Sequence, residues 1–399
     1  MPAFGILTPL LIATATMWAV VGVFVLIDRV RHDAFEHRLD AARDELARTN
    51  PSLEEHAKQV SRRIRASDFQ QLALDGLPHD VEIALARQVK VHAGEDKIRR
   101  QADGSDSVGM WQRIAALQVL ASSGTSEAYP ALDRALRSGS APLAGAAIRM
   151  LTTLGGRDAA VVLIKALRDG AYSRARLAAA IDRLPALPAD LLAPLFESLE
   201  PQARFWGVRL AGRFRAREWA PAMRRLTNDG SPLVRRAVVE ALGAIGDTAD
   251  RDLLLTRFAD PVPFVRAHAA RASAIFTDQG VVTALVNLLS DREWIVRAAA
   301  RRALRAIGTP AVDSLVRTMW DADGFAANSA AEVLYQTGTI GELARRVVDA
   351  PTTAAEPMRI VHRYMAVAGP HLRHALVTRF TTPERALLLR LLDAGLAAT

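Results

Sequence analysis

His371 and His374 stand three residues apart on a stretch of helical pattern, with His362 one helix earlier. On a helix that spacing puts two imidazoles on one face, the arrangement a transition metal asks of its protein ligands. No carboxylate accompanies the pair, so the sequence assigns no metal site and no cofactor. The absence of cysteine removes thiolate-ligated zinc, iron–sulfur clusters, cysteine nucleophiles and disulfide scaffolds together. There is no Gly-x-x-x-x-Gly-Lys-Ser/Thr loop, no Gly-x-Ser-x-Gly elbow and no His-Glu-x-x-His helix. The chain therefore reads as a protein that is not an enzyme.

Its chemistry is concentrated in arginine. Of 51 cationic side chains, all but Lys58, Lys90, Lys97 and Lys165 are arginine, a planar fork suited to holding carboxylates by two hydrogen bonds at once. Their spacing is periodic. The pair Val234-Arg235 recurs as Val265-Arg266 and Val296-Arg297, each time 31 residues on. Arg113, Arg174 and Arg204 extend the register, with Ala144 and Ala327 in the two places where arginine is absent. Asp169, Asp229, Asp260, Asp291 and Asp321 form a second ladder five or six residues before the arginine positions. An aspartate ahead of a helix accepts hydrogen bonds from its unpaired N–H groups, and an arginine one turn later can bridge to the aspartate of the next repeat. These two ladders are expected to stack repeats on one another.

Other cations lie off the ladder. Six residues after each ladder valine, or the residue in its place, come Arg149, Arg209, Arg271 and Arg302, interrupted by Ala179 and Glu240; Arg236, Arg301 and Arg305 lie nearby. Residues 201–305 hold 18 arginines against 10 acidic residues. Together with Phe205 and Trp206, the residues Arg209, Arg236, Arg271, Arg301, Arg302 and Arg305 are the candidate partner-binding set. Such a stripe fits an acidic protein surface or anionic lipid headgroups. A nucleic-acid groove would need a larger excess and aromatics interleaved with the cations, so nucleic acid is disfavoured. The plainer alternative is a solvated helix face in an arginine-rich composition, whose stems pack against apolar neighbours.

The elements that must carry these residues are helices. Val234, Val238, Ala241, Leu242 and Ile245 keep helical spacing, as do Val296, Ala300, Ala303, Leu304 and Ile307. Glycine closes several such stretches, at Gly124, Gly155, Gly246, Gly308 and Gly338. A second apolar helix follows in each unit, and no segment alternates with period two. The predicted fold is all-α: an α-solenoid of about eight helical hairpins over residues 111–350, with a helical cap over 351–399. Residues 29–91 are expected to be helical and 92–110, with little apolar content and three glycines, to be a linker. Residues 1–110 carry 14 basic and 16 acidic side chains, so the excess of +8 in the whole chain lies beyond them.

Phe4 to Ile27 holds 24 residues without a charge, long enough at about 1.5 Å per residue to cross a ~30 Å hydrocarbon core. The expectation is a single transmembrane anchor over residues 1–28. Arg29, Arg31, Arg38 and Arg43 follow it and would hold the remainder on the cytoplasmic side of the inner membrane, close to a membrane-borne partner.

Segments such as DGSPLVRRAVVEALGAIGD (Asp229 to Asp247) and DREWIVRAAARRALRAIG (Asp291 to Gly308) resemble the HEAT-like repeats named after phycobilisome lyases. The resemblance covers about 240 residues and implies an α-solenoid that binds partners along its surface. The resulting expectation is a membrane-anchored HEAT-repeat scaffold or adaptor for a protein partner, for instance a polysaccharide synthase. The alternatives are a phycobilin-lyase-like enzyme or chromophore-handling protein, and a basic-groove binder of anionic lipid or nucleic acid.

Overall fold

The computed structural model describes residues 29, 32–45, 53–321 and 324–396, and among them every regular element is a helix. The span expected over Phe4 to Ile27 lies outside the described residues. Among those described, no helix is long and apolar enough to cross a membrane. His79–Ala93 and Thr382–Leu396 have 15 residues each, about 22 Å of helix against the ~30 Å required. The expected fold class is thus corrected to helical hairpins with no transmembrane helix among the described residues, and the single-pass inner-membrane location, which rested on that element, is not supported. The chain divides into two compact units, residues 1–187 and 188–399. Between Met110 and Asp349 the described helices alternate as eight first-and-second pairs.

In the first unit, residues 32–45 form a helix tied to the Ala66–Leu74 helix by Arg38, which donates to both carboxylate oxygens of the buried Asp68 at 2.8 and 3.2 Å. Residues 92–110, expected to be a linker, contain the helix Glu95–Asp103. Two apolar residues one turn apart, Ile98 and Ala102, are enough to bury its inner stripe, and they hide in a segment whose average is polar. Arg113 on Met110–Ser122 then closes the helix end by donating to the carbonyls of Ala102 and Asp103 at 3.1 Å each.

The second unit is an α-solenoid. Its first helices are Pro201–Arg213, Pro232–Ile245, Pro263–Ala272, Trp294–Ile307 and Gly324–Gln336. Their partners are Ala220–Arg225, Arg251–Thr256, Gln279–Asn287, Val312–Asp321 and Thr339–Asp349. Proline opens three first helices, where its missing N–H would have had no partner anyway. The inward stripe, for example Val234, Val238, Leu242 and Ile245, is buried.

The two ladders meet as rungs. Arg204 donates to both oxygens of Asp229 at 2.7 and 3.0 Å, Arg235 to Asp260 at 2.8 and 2.9 Å, and Arg266 to Asp291 at 2.8 Å twice. The second terminal nitrogen of Arg235 reaches back to the carbonyls of Asp229 and Gly230, and that of Arg266 to those of Asp260 and Pro261. Each arginine thus grips the turn that opens its own hairpin and the aspartate that opens the next. The aspartates do not cap the helices directly. Asp229, Asp260 and Asp291 accept from the N–H of Ser231, Val262 and Glu293, two residues on, and so shape the turn before each helix. Among the described residues Arg174 and Arg297 show only the backward half: 25 residues beyond Arg174 stands the exposed Leu199, and Arg297 lies over the Phe325 ring. Asp169 pairs with Arg137 and Arg168, away from the ladder.

First helices also meet at their far ends. A Cβ on Gly212 would lie 2.7 Å from that of Ala241, and one on Gly243 only 2.6 Å from that of Ala272. Glycine at these helical positions is a contact requirement between neighbouring helices.

Burial is the largest influence on the carboxyls of Asp229, Asp260 and Asp291 and pushes them up, but the arginine and N–H hydrogen bonds and nearby positive charge outweigh it and leave all three below the ordinary 3.8. A depressed carboxyl contributes stability above its unfolded value and loses it as pH falls through the folded one. Melting midpoints should therefore hold from pH 7 to about pH 5 and fall on further acidification, less steeply in Arg266→Met, which lacks one rung. At neutral pH Arg266→Ala should cost about 3 kcal/mol in denaturant titration, because it leaves Asp291 unpaired, while the exposed Arg302→Ala should stay within about 0.5 kcal/mol. Gly243→Ala should destabilise by about 1 kcal/mol or more despite alanine's better helix propensity. A stabilised Gly243→Ala protein would refute the close-contact account.

Candidate partner-binding surface

The candidate residues lie on four successive first helices: Phe205, Trp206 and Arg209 on Pro201–Arg213, Arg236 on Pro232–Ile245, Arg271 on Pro263–Ala272, and Arg301, Arg302 and Arg305 on Trp294–Ile307. The structure sorts them into three groups.

The first group is a cluster. Phe205 and Trp206 meet edge to face with centroids 5.1 Å apart. The Arg209 guanidinium lies 5.3 Å from the Trp206 centroid and 5.9 Å from that of Phe205, and Arg236 lies 5.8 Å from the Phe205 centroid, so two cations share one ring. Each such contact contributes about 0.5–1 kcal/mol at a partly exposed site. Arg236 approaches Glu240 at 3.9 Å, yet its Nε is buried without a hydrogen-bond partner. Glu240 also pairs with Nδ1 of His268 on the next first helix. Burial pushes the Glu240 carboxyl up, but the His268 contact and the charges of Arg236 and Arg209 prevail and hold it below the usual range.

The second group is already engaged. Arg301 donates to Glu332 at 2.6 Å and Arg305 to the amide oxygen of Gln336 at 3.3 Å, both on Gly324–Gln336. Their charge serves the stacking of neighbouring helices. Arg271 and Arg302 make up the third group: both are exposed, and no described residue forms an ion pair with either.

Glu240 and His268 were missed as members of the cluster. The signal was the interruption itself, an acid where the neighbouring repeats carry arginine. Also missed were Trp294 and Phe325, 68% and 74% exposed, which occupy the opening turns of consecutive first helices 31 residues apart. Among the described residues no group of three or more His, Asp or Glu side chains could hold a metal ion.

Residues 188–274 and 259–335 match the family model described as HEAT repeats, so the stretch that carries the three complete rungs is made of HEAT repeats. No curated protein matches the chain in sequence. Among solved structures it is similar to Kap121p bound to RanGTP, at 11% identity over 86% of this chain and 47% of that one, with a TM-score of 0.42. It is similar as well to the complex of CpcE and CpcF of phycocyanin lyase from Nostoc sp. PCC7120, at 22% identity over 65% of this chain and 91% of that one, TM-score 0.26. A third is human deoxyhypusine hydroxylase in complex with glycerol, at 17% identity, 67% and 96% coverage and TM-score 0.24. The chain spans less than half the length of Kap121p. Similarity at this level carries no statement about activity or partner.

Proposed function

We propose that this chain is a non-enzymatic scaffold whose second unit binds an acidic protein surface along its first helices. The observation that supports this reading best is the cluster of Phe205, Trp206, Arg209 and Arg236, continued by the unpaired Arg271 and Arg302. Arginine stacked on aromatic rings is held in place before a partner arrives, which lowers the entropy lost on binding, and arginine and tryptophan are the side chains that most often dominate interface energies. The rungs supply the second requirement. A repeat stack whose hairpins are clamped at each turn presents its side chains at a constant spacing, so a partner can be read across several repeats at once. Because Arg204, Arg235 and Arg266 are spent on rungs and Arg301 on Glu332, the positive charge left for a partner is a modest stripe. That suits an acidic protein patch better than the dense phosphates of nucleic acid.

A photo-crosslinker placed at Trp206 should capture a discrete protein, whereas the same group at the exposed Thr256, on a second helix, should not. Arg209→Glu, Arg271→Glu and Arg302→Glu combined should lower the Trp206 yield at least tenfold with the fold intact by circular dichroism. Equal yields at both positions, or an unchanged yield in the triple variant, would refute the assignment.

A further inference from the structure

The first unit contains a cleft of about 460 Å³ between the helices Ala66–Leu74, His79–Ala93, Met110–Ser122 and Ala141–Leu154. Its volume lies within the range of small-molecule sites, roughly 300–1,000 Å³. The floor is apolar: Ile114, Ala121, Ala146 and Met150 line it and are buried. Leu74 adds an apolar side chain that is 68% exposed. The polar part of the lining is Gln70, His79, Gln118, Ser122 and Thr153 together with two charged side chains of opposite sign, Glu82 and Arg149, which are in different states. Glu82 is half-buried and already engaged: Ser122 Oγ donates to its Oε1 at 2.5 Å and Gln118 Nε2 to the same oxygen at 3.4 Å. Arg149 is exposed, and no described residue pairs with it. In the sequence it occupies the same repeat position as Arg209, Arg271 and Arg302.

We propose that this cleft is a binding site for a small amphiphilic monocarboxylate, its apolar body on Ile114 and Met150 and its carboxylate on Arg149. The charge pattern selects the class. An arginine without a partner at the edge of an apolar cavity gains two parallel charge-assisted hydrogen bonds and an opposite charge from a carboxylate, less from a neutral head, and is repelled by a cationic one. Glu82, fixed by Ser122 and Gln118, sets the second limit. A ligand carrying a further anionic group would bring it against a carboxylate that cannot turn away without losing its own donors. The site is in a different unit from the protein-binding surface proposed above and stands or falls without it.

Isothermal titration of the full chain with decanoate tests this, set against decylamine, with the same body and opposite charge, and sebacate, which adds a second carboxylate. Saturable binding of one decanoate is expected, at least tenfold tighter than that of either comparison ligand. Arg149→Met should weaken it at least tenfold. Thr153→Trp, at an exposed lining position where the fold tolerates a larger ring, should obstruct the cleft and do the same. Arg302→Met, which removes an equivalent charge from the other unit, should leave it unchanged. Decylamine binding as tightly as decanoate, a titration that does not saturate, or decanoate binding that survives both cleft variants would each overturn the proposal.

Discussion

A buried guanidinium is tolerable only when its five N–H donors find acceptors, because the cost of removing the charge from water is recovered solely through good geometry. Arg235 meets that condition in one specific arrangement. Its Nε and one terminal nitrogen face Asp260, and the other terminal nitrogen faces the carbonyls of Asp229 and Gly230. Four acceptor atoms on two different turns must therefore stand at fixed positions around one side chain. The relative placement of consecutive hairpins in the second unit is the outcome of that requirement, met three times in succession. Burial of the valine and leucine stripe supplies the drive to pack, but apolar contact is non-directional and would allow neighbouring helices to slide. The rungs remove that freedom.

The rungs act at the opening turns of the first helices, and Gly212 against Ala241 and Gly243 against Ala272 act toward the other end. Adjacent first helices are thus pinned at two points along their length. Between those points lie the outward positions that carry Arg209, Glu240 and Arg271, which explains how an ordered cluster can form on an exposed face. Phe205 on one helix can sit under Arg236 of the next only if the distance between the two helices is held.

Much of this was legible in the sequence because the repeat has a constant period. The recurring Val-Arg pair gave the hairpin length, the helical spacing gave the buried stripe, and the aspartate ladder gave the partners of Arg204, Arg235 and Arg266. What was missed follows from what a period cannot show. Arg301 and Arg305 looked free, yet Glu332 and Gln336 stand 31 residues on, one full repeat, so the register that aligned the arginines also aligned their acceptors. The helix Glu95–Asp103 was hidden because two well-spaced apolar residues suffice to dock a short helix in a segment that is polar on average. The cleft beside Arg149 draws on four helices spread over residues 70–154, and no local pattern brings those positions together.

Arginine and aspartate of each complete rung are separated by 25 residues, and the rungs themselves by 31. An insertion of a few residues between Arg235 and Asp260 would displace the acceptor from the only position its donor can reach. Duplication or loss of a whole unit would leave every remaining arginine facing an aspartate as before. A gene encoding this solenoid can therefore grow or shrink in steps of one complete hairpin with little loss of order, while small length changes inside a hairpin are selected against. The ladder that stiffens the molecule also sets the increment by which its lineage can alter its reach.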